Sequence, residues 1–216
     1  MKTKKEINKF SLKNNRKMLV AYIAIGLFLV LTLLVKLHVV KPVDNLLESF
    51  VIGIRSDSLT SFMTTITSIS RAYFLITMSI VLLFILKNKK HALLIIINLT
   101  CVFLSSQLLK LIFRRARPDG EHLVSVMGYS YPSGHAMVSL AYFGFILYLI
   151  NKKITNKLLK IILTIITIVL IILIGFSRIY LGVHYATDIL AGFLLASAYL
   201  IVFLTVIKPV EVKQWK

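Results

Sequence analysis

The chain has 216 residues, of which 58% are hydrophobic and only 16% charged, and its formal net charge is +18. A water-soluble domain carries roughly 45–50% apolar and about 25% charged residues, so this composition excludes an ordinary soluble globule and equally a disordered chain. The positive charge does not point to a nucleic-acid partner, because it sits in short clusters between long apolar runs, as membrane proteins place it.

In chain order, a basic segment over residues 1–17 (Lys2, Lys4, Lys5, Lys9, Lys13, Arg16, Lys17) precedes an apolar run at 18–35. The run is long enough for a full span and lacks a small-x-small cleavage site before Lys36, so it is expected to be an uncleaved signal-anchor. Residues 38–57, with Pro42 and mixed charge, suit a short interfacial helix. Further apolar runs follow at 72–86, 92–109, 136–150, 158–176 and 189–207; the first of these can begin near Ser58, because 58–70 is uncharged and rich in hydroxyls. A spanning helix needs about 20 mostly apolar residues. The expected fold is therefore all-α: an integral membrane bundle of six transmembrane helices forming one domain over 1–216. Cys101, the single cysteine, precludes an intrachain disulfide and is expected to be a small packing residue within its run.

Orientation follows from the connections. The amino-terminal segment, Lys87/Lys89/Lys90, Lys152/Lys153/Lys157/Lys160 and the tail lysines 208, 213 and 216 all fall on one side of a six-span layout, holding seventeen of the twenty-six basic residues. Basic loops stay cytoplasmic. Both termini are thus expected inside a bacterial cytoplasmic membrane, the high Ile and Lys content suggesting an AT-rich bacterial genome.

A second set of polar residues collects at the opposite, extracytoplasmic ends of the spans: Lys110, Arg114, Arg115 and Arg117, then Ser133, Gly134 and His135, then Arg178, His184 and Asp188. Ionisable groups at membrane depth are costly and are functional candidates by default. Lys110, Arg117 and Arg178 have no nearby carboxylates in sequence except Asp119 and Glu121, so this surplus of cations calls for an anion with several oxygens. Arg grips phosphate bidentately and Lys acts as a point charge. Ser133 and the N–H groups around Gly134 precede an apolar helix whose N-terminus adds donors and a favourable dipole. His184 and Asp188, four apart, share a face if the segment is helical. The carboxylate then fixes the imidazole tautomer and leaves the other nitrogen free to attack, while His135 stands ready to protonate a leaving alkoxide. No carboxylate or Cys/His set with metal-ligand spacing is present, so neither a metal nor another cofactor is expected, the cations taking the metal's place.

Lys110-x6-Arg117-Pro118, Pro132-Ser133-Gly134-His135 and Ser177-Arg178-x5-His184-x3-Asp188, separated by thirteen and forty-one residues, resemble the three-part signature of the type 2 phosphatidic acid phosphatase (PAP2) superfamily. Its bacterial members include phosphatidylglycerophosphatase B and undecaprenyl-diphosphate phosphatases, and its core is shared with vanadium haloperoxidases. The resemblance implies a metal-independent membrane lipid phosphatase. In it, His184 forms a phosphohistidine, Asp188 holds its ring and His135 is the general acid. Lys110, Arg117, Ser133, Gly134 and Arg178 bind the phosphoryl oxygens. Phosphatidylglycerophosphate and undecaprenyl diphosphate lead as substrates, ahead of phosphatidic acid. A lipid-to-lipid phosphotransferase shares every motif, and a non-catalytic phospholipid carrier is the alternative from another class. Oligomeric state is left open.

Several residues lie outside the pattern. Arg114 and Arg115 read as interfacial anchors or contacts for acidic headgroups, His38 and His91 as interfacial tips, and Asp119 and His122 as loop polar groups. Arg71 either snorkels or points into the site. Gly192 and Ala196 suit close helix packing, and Tyr131 and Tyr180 suit an aromatic belt or the lining of a lipid entrance.

Overall fold

The computed structural model describes residues 4–212, with side chains described over 15–207, and the regular structure among these residues is helical throughout. Eight helices follow one another: α1 (Lys4–Lys36), α2 (Lys41–Gly53), α3 (Asp57–Ser68), α4 (Ala72–Ile85), α5 (Lys89–Phe113), α6 (Gly134–Lys153), α7 (Lys157–Tyr180) and α8 (Ala186–Val212). Five segments are long and apolar enough to cross a membrane: Asn15–Lys36, Lys89–Phe113, Gly134–Lys153, Lys157–Tyr180 and Ala186–Ile207. The sixth expected span is α3 and α4 together, bent by 48° at Ile69–Arg71. The bend has a local cause: Ser70 turns its hydroxyl onto the Thr67 carbonyl at 3.1 Å, and Arg71 takes an extended backbone as N-cap of α4. The short helix expected within 38–57 forms as α2, with Pro42 in its first turn.

Helix α6 is the centre of the bundle. A larger share of it is buried than of any of the other four single-helix spans, and Ala136, Ala141, Tyr142 and Phe145 are wholly enclosed. Lipid tails give apolar side chains no reason to leave them, so packing between spans rests on small residues and on hydrogen bonds. Both occur here. Tyr142 Oη meets Ser79 Oγ at 2.9 Å between α6 and α4, and Asn98 Nδ2 of α5 donates to the Ala141 carbonyl at 2.9 Å. At Gly192 a Cβ would stand 2.8 Å from the Ser133 carbonyl and 2.9 Å from the Ala136 Cβ, so α8 can approach the start of α6 only with glycine there. Ala196, one turn on, is likewise wholly buried.

Three expectations are corrected by the packing. Cys101 is exposed on the outer face of α5 and fills no core gap; its neighbour Val102 is the buried one, one step round the helix. Tyr131 and Tyr180 form no aromatic belt, for both are buried. Tyr131 Oη meets Thr32 Oγ1 at 2.8 Å, and Tyr180 Oη accepts from the Ser56 N–H at 3.1 Å and meets Thr60 Oγ1 at 2.9 Å. Each hydroxyl has a protein partner and needs no headgroup. His91 is buried rather than an interfacial tip.

Candidate active site

Four helix ends converge at one end of the bundle. Lys110 lies in the last turn of α5, His135 in the first turn of α6, Arg178 in the last turn of α7 and Asp188 in the first turn of α8. Each helix runs past its apolar stretch by about one turn, and that extra turn carries the polar residues. The connection 114–133 supplies Arg117, and the short 181–185 link supplies His184.

Lys110, Arg117, Gly134, His135, Arg178 and His184 line one cavity of about 690 Å³. Arg71 lines it too, so this residue faces the site. Asp188 and Ser133 stand behind the wall, both fully buried. Ser133 is the N-cap of α6: its hydroxyl lies 3.5 Å from the Ala136 N–H, and its own N–H donates to the Asp188 carbonyl at 3.0 Å. It therefore orders the first turn of α6 without reaching the cavity itself.

His184 precedes α8, yet the expected pairing forms. Its Nδ1 lies 3.2 Å from Asp188 Oδ2, which also accepts the Tyr185 N–H at 3.0 Å. The far nitrogen, Nε2, faces Arg117 Nη1 at 3.4 Å. Burial holds the His184 imidazole well below the usual histidine range, and the cations of Lys110, Arg178 and Arg117 push it further down. The ring is thus neutral at neutral pH, with Nε2 carrying the lone pair when Nδ1–H is given to Asp188.

The cations are fixed by backbone carbonyls. Arg117 donates to the carbonyls of Gly128, Val183, Met127 and Tyr129 at 2.7–3.3 Å, and Lys110 Nζ to those of Tyr129 and Ser130 at 2.7 and 3.2 Å. Arg178 Nη1 donates to Thr67 Oγ1 at 2.8 Å, while its Nε, like His135 Nε2, is buried without a partner. Unpaired buried donors and acceptors are expensive, and both of these belong to side chains lining the cavity.

Two sequence expectations are corrected here. Arg115 is no interfacial anchor: its guanidinium spans two buried carboxylates, Nη2 to Asp44 Oδ2 and Nη1 to Asp188 Oδ1, each at 2.7 Å. The carboxylates near the cations are therefore Asp188 and Asp44. Asp119 is exposed, and Glu121 pairs with Arg55 at 3.4 Å. Asp44 escaped sequence reasoning because it lies 143 residues from its partner Thr187. The available signal was scarcity, with eight acidic residues against twenty-six basic ones, so a carboxylate beside the membrane was worth pairing. Arg114 is exposed at the end of α5, and His122 is a loop group bonded to the Pro118 carbonyl at 2.8 Å. Among the described residues no cluster of three His, Cys, Asp or Glu is arranged to hold a metal ion.

The family model described as PAP2 superfamily matches residues 89–210. The chain is 32% identical over 174 residues to phosphatidylglycerophosphatase B of Bacillus subtilis, covering 77% of this chain and 84% of that one. It is 27% identical over 146 residues to the undecaprenyl-diphosphatase of Sulfolobus acidocaldarius, covering 65% and 66%. The crystal structure of a transmembrane PAP2 type phosphatidylglycerolphosphate phosphatase from Bacillus subtilis superposes with a TM-score of 0.82 at 28% identity, over 91% of this chain and 98% of that one. Aquifex aeolicus LpxE shares the fold at a TM-score of 0.61 and 24% identity, over 74% and 93%.

Proposed function

The chain belongs to the PAP2 superfamily of membrane lipid phosphatases, and on that premise we propose that it hydrolyses a lipid phosphate monoester or diphosphate through a phosphohistidine, without a metal. One observation carries the reading: the neutral His184 ring, oriented through Nδ1 by Asp188, faces a cavity walled by Lys110, Arg117, Arg178 and His135.

The chemistry runs in two steps. His184 Nε2 attacks phosphorus as the ester or anhydride P–O bond breaks, and His135 gives its proton to the departing oxygen. The positive charge that develops on the His184 ring is held by Asp188. A water then attacks the phosphohistidine, His135 takes the water's proton, and phosphate leaves. Lys110, Arg117 and Arg178, with the N–H groups at the start of α6 that Ser133 and Gly134 organise, stabilise the charge on the equatorial oxygens. A phosphoryl group would also satisfy the unpartnered His135 Nε2 and Arg178 Nε.

The cavity's shape supports a lipid as the substrate class. Beyond the polar end it continues between α4 and α5, walled by Ile76, Ile80, Ile96, Leu99 and Phe103. From Lys110 back to Ile96 this is roughly 20 Å of helix at about 1.5 Å per residue, suited to a hydrocarbon chain. Phosphatidylglycerophosphate and undecaprenyl diphosphate are the proposed substrates, with phosphatidic acid behind them; the relatives named for the first two support that order. The proposed orientation puts the basic connections and both termini in the cytoplasm and the site at the outer face of the membrane.

The test is phosphate release by detergent-purified protein in EDTA, on phosphatidylglycerophosphate, undecaprenyl diphosphate and phosphatidic acid, with His184→Ala as control. Chelator-resistant release that vanishes in the variant is expected. Release that survives in His184→Ala would overturn the nucleophile, and release stopped by EDTA would overturn the metal-free chemistry.

A further inference from the structure

Behind the cavity a second charge cluster is built from elements far apart in the chain. Asp44 of α2, its side chain wholly enclosed, accepts three hydrogen bonds: the Thr187 N–H at 3.1 Å on Oδ1, and Thr187 Oγ1 and Arg115 Nη2, both at 2.7 Å, on Oδ2. Thr187 lies in the first turn of α8, so this carboxylate caps α8 from another helix, at the end where the dipole favours an anion. Arg115 uses its other arm on Thr187 Oγ1 and Asp188 Oδ1, both at 2.7 Å, and its guanidinium lies 4.1 Å from the centre of the Tyr185 ring. Only 17% of the Arg115 side chain is exposed.

The arrangement divides the labour of the Asp188 carboxylate. Oδ1 is taken by Arg115, and Oδ2 is left to the Tyr185 N–H and His184 Nδ1. With both oxygens committed, the carboxylate cannot rotate, and its plane sets the plane of the His184 ring. Charge is divided as well. Arg115 alone against Asp188 would neutralise the carboxylate that must support a developing imidazolium. With Asp44 on its other arm, Arg115 is shared between two anions and Asp188 keeps more of its negative character.

We propose that Asp44 and Arg115 are positioning residues of the phosphoryl-transfer site: Asp44 anchors Arg115, Arg115 fixes Asp188, and helix α2 thereby sets the orientation and basicity of His184. The inference rests on the nucleophilic role of His184. The charged and titratable groups around that ring and its cavity are Arg71 at the start of α4, Lys110 from α5, Arg117 from the 114–133 connection, His135 from α6, Arg178 from α7 and Asp188 from α8, with Arg115 and Asp44 one layer further out. Loss of the Asp44 charge leaves Arg115 less compensated. The imidazolium is then disfavoured, the ring is a weaker nucleophile, and its protonation moves to lower pH.

The experiment compares Asp44→Asn, Arg115→Lys and His184→Ala in the full-length, detergent-purified protein. It reads kcat, KM and the pH profile of kcat/KM on phosphatidylglycerophosphate, competitive inhibition by inorganic phosphate, and thermal unfolding. Asn keeps an oxygen for the Thr187 N–H, so the cap of α8 survives while Arg115 loses its counter-charge. Lys keeps the charge but cannot bridge two carboxylates. Both variants should lower kcat about 10- to 100-fold, the usual range for groups that orient a working ligand. KM and the phosphate inhibition constant should stay within about threefold, because Lys110, Arg117 and Arg178 are untouched. In Asp44→Asn the acid limb of kcat/KM should move to lower pH. An unchanged kcat overturns the proposal, as does a loss of kcat matched by weaker phosphate inhibition with an unmoved acid limb, the mark of a disordered site. If Asp44→Asn does not yield folded protein, Arg115→Lys decides by the same kcat and inhibition readings. Turnover that persists in His184→Ala refutes the nucleophile instead; turnover lost there but intact in Asp44→Asn refutes only the positioning role.

Discussion

At the end of the bundle where α4 gives way to α5, Lys87, Lys89 and Lys90 are all exposed, as are Lys152, Lys153 and Lys157 between α6 and α7. At the opposite end Lys110 and Arg117 are half-buried and Arg178 is almost wholly enclosed, each tied to named oxygen acceptors. The two ends hold the same kind of charge under different physics. Exposed lysines keep their hydration and cost nothing to fold, so they are free to mark topology. Buried cations close to one another repel and lose hydration; they persist only where a fixed framework forces them together, and such sites mark function. Net charge alone does not separate these roles, but burial does.

The sharpest way to break that comparison is at Arg178. Arg178→Met replaces a buried cation by an apolar chain of similar reach. Because a buried charge repelled by its neighbours gives the fold little, the melting temperature in detergent should hold or rise. Phosphate release should nonetheless fall by roughly 10²–10³-fold in kcat, as when one donor to a developing oxyanion is removed. A parallel fall in melting temperature and activity would show that Arg178 is structural, and the contrast between the two ends would fail.

His135 sharpens the comparison at the level of one proton. The ring lines the cavity with Nε2 unpartnered, so its proposed work is done on the leaving group and not in folding. His135→Ala should lower turnover of a lipid phosphate by about 10²–10⁴-fold, the span of general acid catalysis. On an aryl phosphate, whose leaving oxygen needs less protonation, the loss should be clearly smaller. Equal losses on both substrates would remove the general-acid assignment and leave His135 as a binding group.

Much of this site was legible in the sequence because its residues lie at the ends of apolar runs. Lys110, His135, Arg178 and Asp188 each occupy the turn that extends a span, and hydropathy locates such turns. His184 and Asp188 were readable as a pair through their four-residue spacing, although the ring belongs to the link before α8. What stayed hidden were contacts that only the tertiary fold creates. Asp44 and Thr187 are 143 positions apart, and Arg178 and Thr67 are 111 apart, with no periodicity to join them. Ser133, expected to contact phosphate, is the N-cap of α6; a serine before a helix suits either role, and spacing alone does not separate the two. The bend between α3 and α4 was invisible for a different reason, since no glycine or proline marks it and the hydroxyls of 58–70 satisfy helix and break alike.

The smallest expected effect lies at the exposed end, and its smallness is the point. Lys89 Nζ donates to the carbonyls of Leu83 and Phe84 at 2.6 and 3.2 Å, closing the C-terminus of α4. Lys87 and Lys90 are exposed without such a cap. Lys87→Gln with Lys90→Gln removes two positive charges about as far from the polar end of the cavity at Lys110 as the length of α5 allows. At roughly 1.5 Å per residue, the twenty residues from Lys90 to Lys110 separate the ends by about 30 Å, three Debye lengths at about 0.1 M salt. Turnover in detergent at that ionic strength should therefore stay within about twofold of the parent. A larger loss would mean that the lysine clusters act on the site and not only on topology, and the division between marking cations and working cations would have to be redrawn.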